Sequence, residues 1–379
     1  MNSDSPNEAR AIAEEIFSSP GVDPSQDEAI SLITATVQRA KALFEPELIN
    51  CPSDNQAFDV LKTQRLAVLT PSVRVKTQSG ETFPDAPLHA NTFWLQEEHF
   101  DHFDICVSDN ARIETLRDWC NQIKNGCKAA IEDDAARFIL IPELGYPSFW
   151  PGRLNSVANS RSRVQLDRLR ADFDASMQNL AKRNNAVIIC GSYHDWETFE
   201  NITRVYFPSH DHSCRHKKLT SAYKVQEHIK VARGAKYQVY DLGTMKFCIF
   251  VCTDAFDLNI FFRQIFYRSS GYTKYAPQLY FVPSFYASSK IGRHSLLEAC
   301  MQLSMATGAT VVFSNQANDL DGRSIFVAGQ KLDLINKGAY SVGEIDPAKV
   351  VEYQNKTNKM RIALASIVSK TRAEISPEQ

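Results

Sequence analysis

Short apolar runs alternate with longer helical segments along most of this 379-residue chain. From Arg65 onward, each run is typical of a buried strand, and each longer segment has apolar residues at helical spacing. Alternation of this kind predicts a layered α/β architecture. The predicted strands are Leu66–Leu69, Phe138–Ile141, Ala186–Cys190, Leu279–Val282 and Thr310–Phe313, and the predicted helices are Arg112–Ala130, Arg163–Lys182, Phe261–Arg268 and Ser295–Thr307.

The first part of the chain has a different pattern. Its apolar residues recur at helical spacing on both sides of the breaker segment Ser19–Pro24, which contains two prolines and a glycine. We therefore predict a helical N-terminal extension over residues 1–60, an α/β domain over residues 61–356 and a C-terminal tail over residues 357–379. The extension could cover one edge of the core or contact a second subunit.

Composition and charge exclude several classes of protein. A formal net charge of −2 gives no electrostatic reason to expect nucleic acid or an anionic membrane as partner. No apolar run is long enough to span a bilayer, and no apolar stretch follows an N-terminal basic region. The 9 cysteines are odd in number and contain no Cys-x-x-Cys pair. A reducing compartment, and hence a cytoplasmic location, is predicted.

A cysteine stands where a predicted buried strand meets a polar loop. The apolar run Lys246–Val251 ends at Cys252, and Thr253 and Asp254 follow at once. A thiol at the carboxyl end of a strand can meet substrate, whereas a thiol in mid-strand is usually inert core filling. Position alone leaves both interpretations of Cys252 open.

Two further segments place polar residues in similar positions. Glu143 ends the apolar run Phe138–Pro142, and a polar turn after Pro208 leads into a segment that contains Lys217 and Lys218. A carboxylate, a lysine and a thiol thus appear in that order, each at the boundary of an element. Their order and placement suggest one site at the ends of several strands.

These residues resemble the nitrilase superfamily, the carbon–nitrogen hydrolases, whose members carry a Glu-Lys-Cys triad in this order. The resemblance runs from about Arg65 to about Ile345 and implies a four-layer αββα sandwich and a homodimer or larger homo-oligomer. Its segments are Ile141-Pro142-Glu143, Asn201-Ile202-Thr203 with Val205, Tyr206 and Pro208, Cys252-Thr253-Asp254 with Phe256-Asp257, Leu279–Ser284, Val311–Gln316 and Gly322-Arg323-Ser324.

The lysine motif departs from the family pattern, because His216 precedes the lysines and Leu219 directly follows them. Lys218 is favoured as the catalytic lysine and Lys217 is the alternative. On an extended segment the two side chains point to opposite faces, so only one can reach the thiol. Glu227 matches the additional carboxylate of many relatives, although a solvated surface charge is an equal interpretation.

The resemblance implies hydrolysis of a small-molecule amide or nitrile without a cofactor. Cys252 would attack, Glu143 would transfer protons, and Lys218 with a backbone N–H near Thr253 would stabilise the oxyanion. Amide or carbamoyl cleavage is favoured over nitrile cleavage, because most members of the superfamily cleave amides. A binding or assembly module and an acyltransferase that uses the same thioester are the alternatives.

Aromatic residues near the strand ends are candidates for the walls of a substrate pocket, or for ordinary core packing. They are Tyr146, Trp150, Phe256 and Tyr286.

Alternate positions of one segment carry four possible zinc ligands, namely His210, His212, Cys214 and His216. A turn at Pro208-Ser209 would break the alternation, and the spacing fits no common zinc pattern. No metal site is predicted.

Overall fold

The computed structural model describes residues 47–51, 58, 62–69, 109–143, 145–147, 160–195, 200–211, 213–219, 238–257, 264, 275–284, 290–315 and 323–357. Contacts divide the chain between Glu47 and Leu48. The fold given below is that of the second unit. Residues 1–46 of the predicted extension, residues 358–379 of the predicted tail and most of the predicted helix Phe261–Arg268 lie outside the described residues.

Two seven-stranded sheets make up the centre of the described part of the chain. In chain order the strands are β1 (Glu47–Asn50), β2 (Gln64–Leu69), β3 (Phe138–Leu140), β4 (Val187–Asp195), β5 (Glu200–Tyr206), β6 (Cys214–Lys217), β7 (Gln238–Asp241), β8 (Lys246–Ile249), β9 (Leu279–Ser284), β10 (Thr310–Asn315), β11 (Arg323–Val327), β12 (Gln330–Lys331), β13 (Ile335–Asn336) and β14 (Tyr340–Ile345). The first sheet has the order β13-β14-β2-β3-β4-β5-β6, and the second has the order β1-β7-β8-β9-β10-β11-β12.

Helices cover the outer face of each sheet. Helices α1 (Asp109–Glu132) and α2 (Ser160–Asn184) pack on the first sheet, and α3 (Lys290–Thr307) packs on the second. Residues 347–357 are also helical. Side chains alternate between core layers along each buried strand, as the pleat requires. In β3, Phe138 and Leu140 face the second sheet, whereas Ile139 faces the helices. The predicted four-layer αββα sandwich is therefore confirmed.

The predicted strands and the helices over α1, α2 and α3 are also confirmed. Strand β1 lies within the segment that the sequence assigned to the helical extension. Its neighbours Leu48 and Ile49 pack in different core layers, which a strand allows and a helix does not. Cys51 and Phe58 then join the core between the sheets. None of the described helices combines the length and apolarity that crossing a bilayer requires.

Strand direction gathers several strand ends at one edge of each sheet. Strands β2, β3 and β4 are parallel, and so are β8, β9 and β10. Strand β6 is antiparallel to β5, which is antiparallel to β4, so β6 runs in the same direction as β4. At this edge Ser314 Oγ of the second sheet donates a 3.0 Å hydrogen bond to the carbonyl oxygen of Leu69 in the first.

Candidate active site

Glu143 lies in a turn just beyond β3. The turn packs against a bulge in β4 between Cys190 and Ser192, where the carbonyl oxygen of Pro142 reaches Gly191. A Cβ atom at Gly191 would lie 1.5 Å from that oxygen, so only glycine permits the approach. The bulge therefore sets where the chain leaves the sheet and, with it, the position of the Glu143 backbone.

Lys218 follows β6 and pairs with Glu143. Its Nζ donates a 2.9 Å hydrogen bond to Glu143 Oε1, and both side chains are 3% exposed. Lys217 lies on the other face, half exposed, where it pairs with Glu200 at 2.6 Å. The structure thus places Lys218 beside Glu143 and Lys217 on the outer surface, as expected for neighbours on an extended segment.

Asn201 joins the glutamate and the lysine. Its Nδ2 donates a 3.1 Å hydrogen bond to Glu143 Oε1, and its carbonyl oxygen accepts one of 2.8 Å from the backbone N–H of Lys218. Asn201 is fully buried in β5. Asn201 therefore holds both the side chain of Glu143 and the backbone of Lys218.

Cys252 opens a short 3₁₀ turn, Cys252–Phe256, three residues after the end of β8. Its φ of 51° lies in the left-handed region, a conformation that costs a non-glycine residue of order 1–3 kcal/mol and persists where its surroundings fix it. The residue is 4% exposed, and Ser284 Oγ, at the end of β9, donates a 3.5 Å hydrogen bond to its Sγ.

The pKa of the Cys252 thiol depends on both of the other predicted catalytic residues, Glu143 and Lys218. Burial raises the pKa of Cys252, and the negative charge of Glu143 and a hydrogen bond with its carboxylate raise it further. The ammonium of Lys218 and the hydrogen bond from Ser284 act in the opposite direction. Burial prevails, so the resting thiol is protonated at neutral pH. An attack by sulfur at this position requires a base, and Glu143 is in contact.

Asp254 connects the cysteine turn to the lysine segment. Its two oxygens accept hydrogen bonds of 3.1 and 3.2 Å from the backbone N–H of Leu219, and Oδ2 accepts one of 3.0 Å from that of Val251. The carboxylate is fully buried. The residues next to Lys218 and Cys252 are therefore held by one side chain.

Sequence reasoning assigned no site role to Asn201, Asp254 or Ser284. Each is a polar residue that lies within or just beyond an apolar run, and each is completely buried in the structure. A buried polar side chain requires hydrogen-bond partners. A polar residue next to an apolar run was therefore the sequence feature that could have indicated a role in the site.

Tyr146 lies in the core, which is one of the two interpretations that the sequence left open. It packs in the core between α1, α2 and the first sheet, on Phe173 and Tyr193, and its hydroxyl donates a 2.9 Å hydrogen bond to Asp174 Oδ2. The chain crosses to the outer layer directly after Glu143, so the ring is core rather than a wall of the site. Thr253 is half-buried in the 3₁₀ turn. Glu227, Trp150, Tyr286 and the Phe256 side chain lie outside the described residues.

The predicted absence of a zinc site stays a prediction. Among the described residues no group of three or more His, Cys, Asp or Glu side chains could hold a metal ion. His210 packs on Phe207, and His216 is buried beside Tyr240. His212 lies outside the described residues.

No protein-family model and no curated protein sequence matches this sequence. Solved structures do. Nit3 from Saccharomyces cerevisiae, a member of branch 10 of the nitrilase superfamily, aligns over 79% of this chain and 96% of its own, with a TM-score of 0.50 and 13% identity. The glutamine-dependent NAD⁺ synthetase from Acinetobacter baumannii aligns over 76% of this chain with a TM-score of 0.51 and 12% identity, and the match spans 47% of the synthetase. An amidase from Nesterenkonia sp. aligns over 78% of this chain and 95% of its own, with a TM-score of 0.48 and 15% identity. The likeness to Nit3 and to the synthetase shows that the chain has the fold of these proteins.

Proposed function

We propose that this protein is a thiol-dependent hydrolase that cleaves a non-peptide carbon–nitrogen bond, in an amide or a carbamoyl amide, through a thioester on Cys252. One observation carries the proposal. A buried carboxylate, ammonium and thiol meet at the carboxyl ends of strands from both sheets, with Lys218 Nζ 2.9 Å from Glu143 Oε1 and the thiol in contact with the same carboxylate.

The first half-reaction forms the thioester. Cys252 Sγ bonds to the substrate carbonyl carbon while its proton passes to Glu143, and the carbonyl oxygen becomes an oxyanion. The ammonium of Lys218 and a backbone N–H near Thr253 stabilise that charge. The carbon–nitrogen bond then breaks, and Glu143 returns the proton to the departing nitrogen, which leaves as ammonia or an amine.

The second half-reaction releases the acid. Glu143 takes a proton from water, whose oxygen bonds to the thioester carbon. The carbon–sulfur bond then breaks, and the sulfur recovers a proton from Glu143. The three side chains return to their starting protonation states, so the cycle needs neither metal nor cofactor.

Small amides are favoured as substrates over nitriles. The superfamily that the sequence resembles consists mostly of amide-cleaving enzymes. Small primary amides are therefore the first substrates to test.

The test is ammonia release from a panel of small amides, carbamoyl amines and nitriles, together with the intact mass of the protein during turnover. We expect release by the wild type, its loss in Cys252→Ala, and a mass increase that corresponds to the acyl group. Cys248→Ala is the matched control, because Cys248 lies on the preceding strand but faces the outer core. A silent wild type without an adduct would favour a binding module instead.

An acyltransferase would give the same adduct but a different second step. Adding an amine or hydroxylamine during turnover separates the two activities. Faster loss of the adduct with the amine than with water, accompanied by a new amide product, would contradict hydrolysis as the main reaction.

A further inference from the structure

We propose that Asp254 is a positioning residue that sets the distance between the lysine and the nucleophile. The inference rests on the proposed function for its meaning in catalysis, but its geometry stands on the described contacts alone. Lys218 and Cys252 belong to different sheets, so no strand pairing fixes one relative to the other. Some other connection must do so.

Asp254 supplies that connection through backbone groups. The N–H of Leu219, the residue after Lys218, donates to both carboxylate oxygens, at 3.1 and 3.2 Å. The N–H of Val251, the residue before Cys252, donates to Oδ2 at 3.0 Å. Each catalytic residue is therefore one peptide unit from a group that the same rigid side chain holds.

The burial of Asp254 adds to the constraint. The side chain is fully buried, and a carboxylate away from water keeps its hydrogen bonds because water does not compete for them. The Asp254 N–H also donates a 3.1 Å bond to the carbonyl oxygen of Val251, which closes the turn. Asp254 thus fixes the left-handed conformation of Cys252 and the approach of the lysine segment together.

Asn201 fixes the remaining distance, between Lys218 and Glu143. The three catalytic residues are therefore linked in series by two buried polar side chains, one within the first sheet and one between the sheets. Strand pairing acts only within each sheet, so no backbone ladder could replace the link that Asp254 makes between the sheets. We infer that its loss displaces the ammonium from the thiol while the sheets stay folded.

The test compares Asp254→Ala and Asp254→Asn with the wild type in the full-length protein. For Asp254→Ala we expect kcat to fall about 100-fold, since a displacement of about 1 Å at a reacting group has an effect of that size, with a much smaller change in KM. Asp254→Asn keeps one acceptor oxygen and should lose less. An unchanged kcat for the folded Asp254→Ala protein would overturn the inference.

A second readout needs no substrate. The rate of alkylation of Cys252 by iodoacetamide, followed against pH, reports how strongly Lys218 acts on the thiol. We expect Asp254→Ala to slow alkylation and move its pH profile upward, because Lys218 lowers the pKa of the thiol. An unchanged profile would contradict the inference even if the wild type hydrolyses no amide, so its failure is distinguishable from failure of the proposed function.

Ser304→Ala is the control for a general loss of stability. Ser304 Oγ is fully buried and makes two hydrogen bonds to backbone groups, to the Ala309 carbonyl at 2.7 Å and from the Gly329 N–H at 3.0 Å. Ala309 lies just before the start of β10, at the end opposite the site. Ser304→Ala should lower the melting temperature but leave kcat and the alkylation profile as in the wild type. A change in kcat equal to that of Asp254→Ala would assign both effects to stability and reject positioning.

Discussion

Lys218 Nζ donates a hydrogen bond to Glu143 Oε1 across 2.9 Å, with both side chains almost completely removed from water. Two opposite charges in such a place depend on each other, because either one alone would be a buried, uncompensated charge. The pair therefore has two roles. It places a cation beside the proposed base, and it makes the local structure depend on the lysine.

Lys218→Met should remove activity and stability together. Loss of a positioned donor to the oxyanion should lower kcat about 100- to 1000-fold. Breaking a buried ion pair should lower the free energy of unfolding by about 3–5 kcal/mol. Steady-state kinetics and urea denaturation measure the two effects. Lys217→Met is the matched control, since its exposed pair with Glu200 contributes at most about 1 kcal/mol. Equal losses in both variants would contradict the assignment.

Asn201 gives a graded prediction. Asn201→Ala removes the 3.1 Å hydrogen bond to Glu143 and should reduce kcat. Asn201→Asp places a second carboxylate beside Glu143 that also competes for the Lys218 ammonium, so its kcat should be lower still. Kinetics at neutral pH with one amide substrate orders the three proteins. The predicted order is wrong if Asn201→Asp is as active as Asn201→Ala.

His216 predicts how stability changes in acid. Burial between the sheets lowers the pKa of its imidazole from 6.5 to about 4 in the folded protein. Between these values the unfolded chain binds a proton that the folded chain does not, so the free energy of unfolding falls as pH decreases from about 6.5 to 4. At 1.36 kcal/mol per pKa unit the loss reaches about 3 kcal/mol. Urea denaturation at several pH values measures it.

His216→Phe should flatten that dependence, because phenylalanine binds no proton in either state. Above pH 7 the imidazole is neutral both in the folded protein and in the unfolded chain, so the slope of stability against pH should there be the same for variant and wild type. A variant as sensitive to acid as the wild type would assign the effect to other groups.

A substitution at Tyr146 tests whether its ring packs in the outer core or lines a substrate pocket. Its hydroxyl and that of Tyr206 both donate hydrogen bonds to Asp174. Tyr146→Phe should lower the free energy of unfolding by about 1 kcal/mol, since the partly buried Asp174 carboxylate loses one of its donors, and should leave KM unchanged. Tyr206→Phe should behave alike. A selective rise in KM for Tyr146→Phe would restore the pocket-wall interpretation.

The positions of the proposed catalytic residues were predictable from the sequence because burial shapes local patterns. Glu143 and Cys252 each end an apolar run, and a strand that ends at a polar residue brings it to the edge of a sheet. Burial also alternates along β6, with Arg215 and Lys217 exposed and His216 buried. That period of two is a feature of the structure and agrees with a buried Lys218; the sequence alone left Lys217 as the alternative.

The links between the proposed catalytic residues were not predictable, because the residues that form each link are distant in sequence. Asp254 accepts hydrogen bonds from Leu219, 35 residues earlier, and Asn201 from β5 reaches Glu143 in another turn. The choice between core and pocket for Tyr146 stayed open for a related reason. Three residues after Glu143 the chain has already crossed the sheet edge, and nothing in the local pattern specifies the layer in which a ring will lie.

The pairing of β2 with β14 has a consequence for synthesis. Strand β2 lies between β3 and β14, and β14 is the last strand to leave the ribosome among those the structure describes. Until then β2 offers a row of open N–H and C=O groups on a nearly continuous apolar strand, which is the arrangement that recruits foreign strands. A nascent chain halted before residue 340 would already contain the whole proposed triad, yet it would be vulnerable to aggregation.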